Sequence, residues 1–537
     1  MMSTLIYNAK IYLERERFAQ ALLINDEGRI EAVGTNEEMA AISGDATRYD
    51  AAGRTIVPGF NDSHQHLFNT GIALASVHLQ GVSSIAEVIR RGRQYIEDNE
   101  LQPGEVILGM GWNQDYFTDE HRLLNRHDLD QISTEYPIIF DRACGHILTC
   151  NTKALEMAGV TTETVPLPGG AIDCENGELT GVFRENARDQ VRCLMSERTV
   201  AAKKRLLLAA IKHANETGVT SVQTCDVRRK DWRSTLQAFN EVLADNHSIR
   251  VYHQFNFMNP EGLREFFDAG YKTGVGDDFN RIGPLKLFVD GSLGARTAYM
   301  RHPYADQPDT RGIATLTQDE LDTMVRIATE NGCSVAIHAI GDAAIESVLD
   351  SYDKVCTDGK NPLRLGVIHV QITDRPLLER FTKNDILALV QPIFLHYDTG
   401  IVEARVGKEL AATSYAFKSL VDLGVHTSFG TDSPVEDMAP LPNIYCAVTR
   451  QNLRGEPAGG FHPEECMDIY AAVDAYTVES AYASFEEKTK GRLLPGYVAD
   501  LVVLDKDIFT INPNDILKTH VDMTMVNGQI VFERNAQ

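Results

Sequence analysis

Four apolar runs in this 537-residue chain lead into side chains that bind metal ions. Ser334-Val335-Ala336-Ile337 runs into His338, and Arg364-Leu365-Gly366-Val367-Ile368 into His369. Val425-His426-Thr427-Ser428-Phe429-Gly430-Thr431 ends in Asp432, and Ile56-Val57-Pro58-Gly59-Phe60 leads through Asn61-Asp62-Ser63 to His64-Gln65-His66. Residues two apart on a strand point the same way, so His64 and His66 can reach one ion. Neutral imidazole is a good ligand for zinc. A lone histidine at a strand end is more often a core residue, but the recurrence constrains the fold. In a TIM barrel, strand ends far apart in sequence converge on one face, where catalysis occurs.

The rest of the chain fits that frame. The helical spacing of Arg198 to Asn215 is followed by a strand, Gly218-Val219-Thr220-Ser221-Val222, and Asp319 to Asn331 by Ser334-Val335-Ala336-Ile337. Repeated helix-then-strand units imply an α/β chain with a parallel sheet, here a TIM (β/α)8-type barrel over 58–489. Both ends of the chain carry hairpins. Ala21-Leu22-Leu23-Ile24 turns at Gly28 into Arg29-Ile30-Glu31-Ala32-Val33, and Met523-Thr524-Met525-Val526 turns at Asn527-Gly528 into Gln529-Ile530-Val531-Phe532. A small β-sandwich module built from residues 1–57 and 490–537 is expected, with an insertion at about 79–180 near the barrel mouth.

Composition excludes several classes. Lys plus Arg number 51 against 76 Asp plus Glu, a formal net charge of -25. That field repels a polyanion, so no nucleic-acid partner is expected. No run is apolar enough for a signal peptide or a membrane span. The 9 cysteines form no C-x-x-C pair, which reads as reduced thiols in a cytoplasmic protein. The expected partner is a small-molecule substrate, and a homodimer is compatible with this reading.

Gly283-Pro284-Leu285-Lys286-Leu287-Phe288-Val289-Asp290 places a lysine inside an apolar strand, which is costly unless the amine is paired or modified. Lys286 either snorkels, pairs with Asp290, or takes up carbon dioxide as a carbamate able to bridge two metals.

Val57-Pro58-Gly59-Phe60-x-Asp62-x-His64-x-His66, the two strand histidines, and Gly430-Thr431-Asp432-Ser433-Pro434 resemble the amidohydrolase superfamily. Lys286-Leu287-Phe288-x-Asp290-Gly291-Ser292-Leu293-Gly294-Ala295-Arg296-Thr297 resembles its amidohydrolase-3 branch, which includes N-substituted formamide deformylases. Gly109-x-Gly111-Trp112, Gly145-His146 and Thr180-Gly181-Val182-Phe183-x-Glu185 resemble the same branch. The resemblance implies that His64, His66 and Asp432 bind one metal, His338 and His369 a second, and that Lys286 bridges them as its carbamate. It implies one or two divalent ions, zinc above all, with other transition metals able to substitute. The implied chemistry is hydrolysis of an amide, formamide or cyclic amide C–N bond by metal-activated water, with Asp432 as general base. An ester, lactone or carbamate hydrolase would use the same site. A non-catalytic metal-binding barrel is a further reading, opposed by Asp432, because a structural zinc site is closed and needs no base.

Trp112, Asp115, His146, Glu185, Asp290 and Arg296 are candidates for the substrate pocket. Each has a plainer alternative: Trp112 as core, Asp115 as a helix cap or solvated acid, Arg296 paired with Asp290, and His146 with Glu185 as a buried pair. His78, His121, His127, His302 and His396 receive no metal role.

Overall fold

Strands buried on both faces alternate with helices that bury one stripe, the pattern that builds a parallel sheet with helices outside. The helix Gln318–Glu330 shows how the chain marks these boundaries. Thr317 and Glu320 cap each other's backbone at its start, and Leu321, Met324, Val325, Ile327 and Ala328 form its buried stripe. The chain then turns into a strand that carries His338.

The computed structural model describes residues 3–99, 101, 104–142, 147–167, 170–195 and 198–534. Eight barrel strands follow in chain order: β1 (Phe60–Gln65), β2 (Val219–Arg228), β3 (Arg250–Asn256), β4 (Asn280–Phe288), β5 (Val335–Ala339), β6 (Gly366–His369), β7 (Leu387–Val390) and β8 (Thr427–Phe429). Each pairs with its sequence neighbour, and the pairings are parallel. Just past β8, Asp432 N–H donates to the His64 carbonyl at 2.8 Å and His66 N–H to the Ser433 carbonyl at 2.8 Å, which ties the last strand end to the first. The fold is a TIM barrel.

The termini build two further sheets. In the first, Gln529–Glu533, Val521–Val526, Leu501–Leu504, Thr55–Pro58, Lys10–Glu14 and Arg17–Ala19 lie side by side, so strands from both ends of the chain share one sheet. In the second, the order is Ile30–Gly34, Ala21–Ile24, Thr4–Tyr7 and Thr47–Asp50. Ile6, Leu22 and Ile24 pack with Ile11, Leu501, Met523 and Met525 in one apolar layer, the core of a β-sandwich module.

Two compact units result, Met1–Thr70 with Ala210–Gln537, and Gly71–Ala209. Residues 79–180 fall inside the second, which holds its own mixed sheet and a core built on Trp112, Phe117, Ile138 and Phe140. Among the described residues, no helix is long and apolar enough to cross a membrane, and the cysteines are free.

Candidate metal centre

The strand ends bring five of the expected ligands together. The rings of His64 and His66 lie 5.4 Å apart between centroids, those of His64 and His369 5.8 Å, and those of His338 and His369 4.4 Å. Asp432 Oδ1 is 3.4 Å from His64 Nε2 and 3.2 Å from His66 Nε2. His64 and His369 are buried, His66 and His338 half-buried.

In three of the four rings Nδ1 meets a fixed hydrogen-bond acceptor. His64 Nδ1 is 2.6 Å from Gln254 Oε1, His66 Nδ1 2.9 Å from the Cys225 carbonyl, and His369 Nδ1 2.7 Å from Gln391 Oε1. His338 Nδ1 lies 3.0 Å from Asp290 Oδ1 without forming a hydrogen bond to it. The two glutamines cannot turn round, because Gln254 Nε2 donates to the Ser63 carbonyl and Gln391 Nε2 to that of Leu389. An acceptor at Nδ1 demands a proton there. A neutral ring then has its lone pair on Nε2, the arrangement in which protein imidazoles bind metals.

That assignment supplies a fit test. With Nδ1 protonated, Nε2 of His64 and of His66 would turn lone pairs toward the charged oxygen of Asp432, an arrangement that repels unless a cation sits among them. Two ligands each about 2.1 Å from a tetrahedral ion stand about 3.4 Å apart. The observed 3.2 and 3.4 Å separations match. Ligand atoms of His64, His66 and Asp432 all lie within 4.8 Å of one another. The donor set fits a divalent metal.

Electrostatics agree. Burial and then the charge of Lys286 pull His64 down to about 4, and burial takes His369 well below the ordinary histidine value. Both rings are therefore neutral and ready to ligate. Burial alone would raise the Asp432 carboxyl, but His64 and His66 outweigh it and hold the group far below the usual carboxylate range. Burial would likewise lower His66; Asp432 outweighs it, and the imidazole rises above its ordinary value. A proton would thus compete for the place that a cation would fill.

Lys286 is fully buried and its Nζ has no hydrogen-bond partner. Nζ stands 4.3 Å over the Phe288 ring, and burial lowers the amine to about 8. It neither snorkels nor forms a hydrogen bond to Asp290.

The local backbone is set for this cluster. Asp432 (φ 55°) and His369 (φ 83°) lie in the left-handed region, which costs energy for residues with a side chain. Gly430 approaches β1 so closely that a Cβ there would stand 2.6 Å from His64 N. Asp62, fully buried, accepts hydrogen bonds from His64 N–H at 3.1 Å and from the Thr431 backbone and hydroxyl at 3.2 and 2.5 Å. It fastens β1 to the segment that presents Asp432.

Gln254, Gln391, Asp62 and the Cys225 carbonyl were not anticipated as parts of the centre. The signal available was a buried amide inside an apolar strand, as in Val251-Tyr252-His253-Gln254-Phe255, since such a group must find a partner. The partner's identity depends on strand register.

Several substrate-pocket expectations need correction. Asp290 is buried; its carboxylate accepts from the backbone N–H groups of Ile340, Gly341 and Tyr299 while facing His338 Nδ1. Its hydrogen bonds are to backbone groups, and it presents almost no surface to substrate. Arg296 pairs with Asp306 at 2.8 Å, and not with Asp290. Trp112 is fully buried in the core of the Gly71–Ala209 unit, with its indole N–H on the Phe140 carbonyl at 3.1 Å, so it is core. Glu185 is exposed in that unit at φ 48°. His146 and the side chain of Asp115 lie outside the described residues.

A barrel whose strand ends gather imidazoles, a carboxylate and a buried lysine defines a class of hydrolases, and comparison with known proteins agrees. The model of the amidohydrolase family matches residues 48–532. The chain belongs to that family. It is 31% identical over 527 residues to the provisionally named amidohydrolase YtcJ of Bacillus subtilis (strain 168), covering 97% of this chain and 98% of that one. It is 26% identical over 560 residues to the N-substituted formamide deformylase of Arthrobacter pascens, with 99% of each chain covered. Among solved structures, an uncharacterized metal-dependent hydrolase from Pyrococcus horikoshii OT3 superposes with a TM-score of 0.80 at 29% identity, covering 95% of this chain and 99% of that one.

Proposed function

We propose that the protein is a zinc hydrolase that cleaves a C–N bond of a small amide, formamide or cyclic amide, with Asp432 as general base. The observation that supports this reading most is the convergence of His64 and His66 Nε2 on Asp432 Oδ1 while an acceptor fixes each Nδ1. In the proposal His64, His66 and Asp432 would hold one ion and His338 and His369 a second, with Lys286, as its carbamate, as a further ligand. A bound divalent ion supplies a Lewis acid and acidifies water from a pKa of about 15.7 to about 7.

The chain's own groups do the rest. A neutral Lys286 amine attacks the carbon of carbon dioxide; the N–C bond forms, one proton leaves to solvent, and an anionic carbamate results. A buried amine lowered to about 8 favours this, because protonation would block the nitrogen lone pair. Asp432, ionised at neutral pH, accepts a proton from water and passes it to the departing nitrogen. That delivery matters because an amine anion is a very poor leaving group.

Purified protein loaded with zinc and offered matched formamides, amides and esters tests the reading. Turnover of the C–N substrates with bound zinc supports it. Turnover of esters alone, or equal turnover after complete metal removal, contradicts it.

A further inference from the structure

A TIM barrel usually fills its interior with branched apolar side chains. Strands β5 to β7 follow that rule. Ile337, Val367 and Ala388 pack in the outer layer, and the residues that alternate with them, Ala336, Ile368, Leu387 and Leu389, form a separate inner cluster. The remaining strands do otherwise. Phe60 and Leu285 pack outward, so Asn61 and Lys286, next to them in the chain, face the axis. Tyr252 stands two residues before Gln254, which reaches His64 inside the barrel, so it faces the same way. Ser428 is the register partner of Leu389 and shares its side.

These inward polar groups are buried and unpaired. Asn61, Ser63, Tyr252, Lys286 and Ser428 each expose 4% of their surface or less. Among the described residues, Asn61 Oδ1 and Nδ2, the hydroxyls of Ser63, Tyr252 and Ser428, and Lys286 Nζ meet no hydrogen-bond partner. Their positions run along the barrel. Ser63 lies at the upper end, where its carbonyl accepts from Gln254. Lower down, Tyr252 pairs in register with Gln223, and Asn61 with Ser221. Lys490 Nζ donates to Ser221 Oγ at 2.8 Å and meets Glu486 at 2.6 Å. Burial raises the Tyr252 hydroxyl above its ordinary value, and the charge of Glu486 adds to it, so that hydroxyl stays a donor within the carboxylate's field. Glu486 itself is half-buried and keeps some contact with solvent.

Buried polar groups without a protein partner are satisfied by ordered water, each molecule making about three hydrogen bonds. We infer that Asn61, Ser63, Tyr252 and Ser428 bind a file of water molecules inside the barrel, and that this file carries a proton between Lys286 and Glu486. The inference rests on the carbamate reading of Lys286 given above. When Nζ bonds to the carbon of carbon dioxide, one proton leaves the nitrogen. The first water accepts it, each later water passes one on, and the Glu486 carboxylate receives the last before its release to solvent. Loss of carbon dioxide runs the same transfers backward. On the mouth side Lys286 is covered: the Phe288 ring stands 4.3 Å from Nζ and 5.2 Å from the His338 ring.

High-resolution density and carbamate kinetics test it together. Density from zinc-loaded crystals should show waters bonded to the side chains of Asn61 and Tyr252. Those side chains turned to protein partners, with no water between them, would overturn the inference. Metal-free protein is then mixed with zinc and isotope-labelled bicarbonate, and the carbamate carbon is followed by NMR. Asn61→Leu and Tyr252→Phe should each slow its appearance about ten-fold and make that rate sensitive to heavy water, with the final amplitude and the zinc content unchanged. Tyr252→Phe removes a single oxygen, so it decides the matter even where Asn61→Leu fails to fold. Appearance at the unsubstituted rate in Tyr252→Phe and in any folded Asn61→Leu overturns the inference and leaves the carbamate reading intact. Absence of a carbamate signal in the unsubstituted protein ends the carbamate reading, and the proton path with it.

Discussion

At the N-terminal ends of the barrel strands, Arg250 meets Asp500 at 2.7 and 3.2 Å, Lys490 meets Glu486 at 2.6 Å and Ser221 at 2.8 Å, and Arg364 grips Glu487 with both guanidinium nitrogens. At the C-terminal ends, Lys286 Nζ and Asp432 Oδ1 are equally buried and have no hydrogen-bond partner. One end neutralises its buried charges within the fold. The other leaves ligand atoms facing one another. Charges of the first kind hold the terminal β module and the C-terminal segment to the barrel; charges of the second kind have value only when something else binds. An uncompensated buried charge is expensive, so its persistence at one end marks function.

The comparison can be broken by substitution at either end. Asp432→Asn should lower kcat by about 10^3-fold or more, within the range of general acid–base effects, while thermal denaturation moves little. Near-normal turnover would remove Asp432 from the base role. Arg250→Met strands Asp500 in the interior and should cost about 3–5 kcal/mol in denaturant unfolding, with zinc affinity unchanged. A loss of zinc affinity instead would show that the two ends are not independent.

Smaller effects sharpen the same contrast. Gln254→Leu leaves His64 Nδ1 without its acceptor and should weaken zinc binding about 10–100-fold in a chelator competition. Lys286→Met should stabilise the metal-free protein at neutral pH by about 1 kcal/mol, because it removes a buried amine that has no partner. The pH dependence follows from the amine's fall from 10.5 to about 8 on folding. Between those values the unfolded chain binds more protons, so metal-free protein gains stability as pH rises through that window. K286M should lack that gain, and a parallel rise in both proteins would place the titration elsewhere.

How much of this was legible follows from what sequence encodes. An apolar run ending in histidine or aspartate announces a strand end, and a barrel then brings those ends together; His64, His66, His338, His369 and Asp432 could be found without coordinates. The hairpins at Ala21–Ile24 and Val521–Val526 were legible from their glycine turns, but the first lies in the other sheet, and the strands that join the C-terminal ones are Thr55–Pro58, Lys10–Glu14 and Arg17–Ala19. The acceptors behind the rings were not legible. Gln254 and Gln391 reach their histidines across strands, and nothing local states which strand is adjacent or at what register. Trp112 failed for a related reason: a glycine-flanked tryptophan looks the same in a core as in a pocket wall. Arg296 and Asp290 stand six residues apart and suggested a pair, but the chain between them turns and gives each another partner.

The account's central claim is that Nε2 of His64 and His66 share a cation with Asp432. Anomalous scattering at the zinc edge from crystals of the zinc-loaded protein tests it directly. The expected result is a peak about 2.1 Å from both Nε2 atoms. Zinc-loaded crystals with no peak there, or with the ion held by other residues, would contradict it.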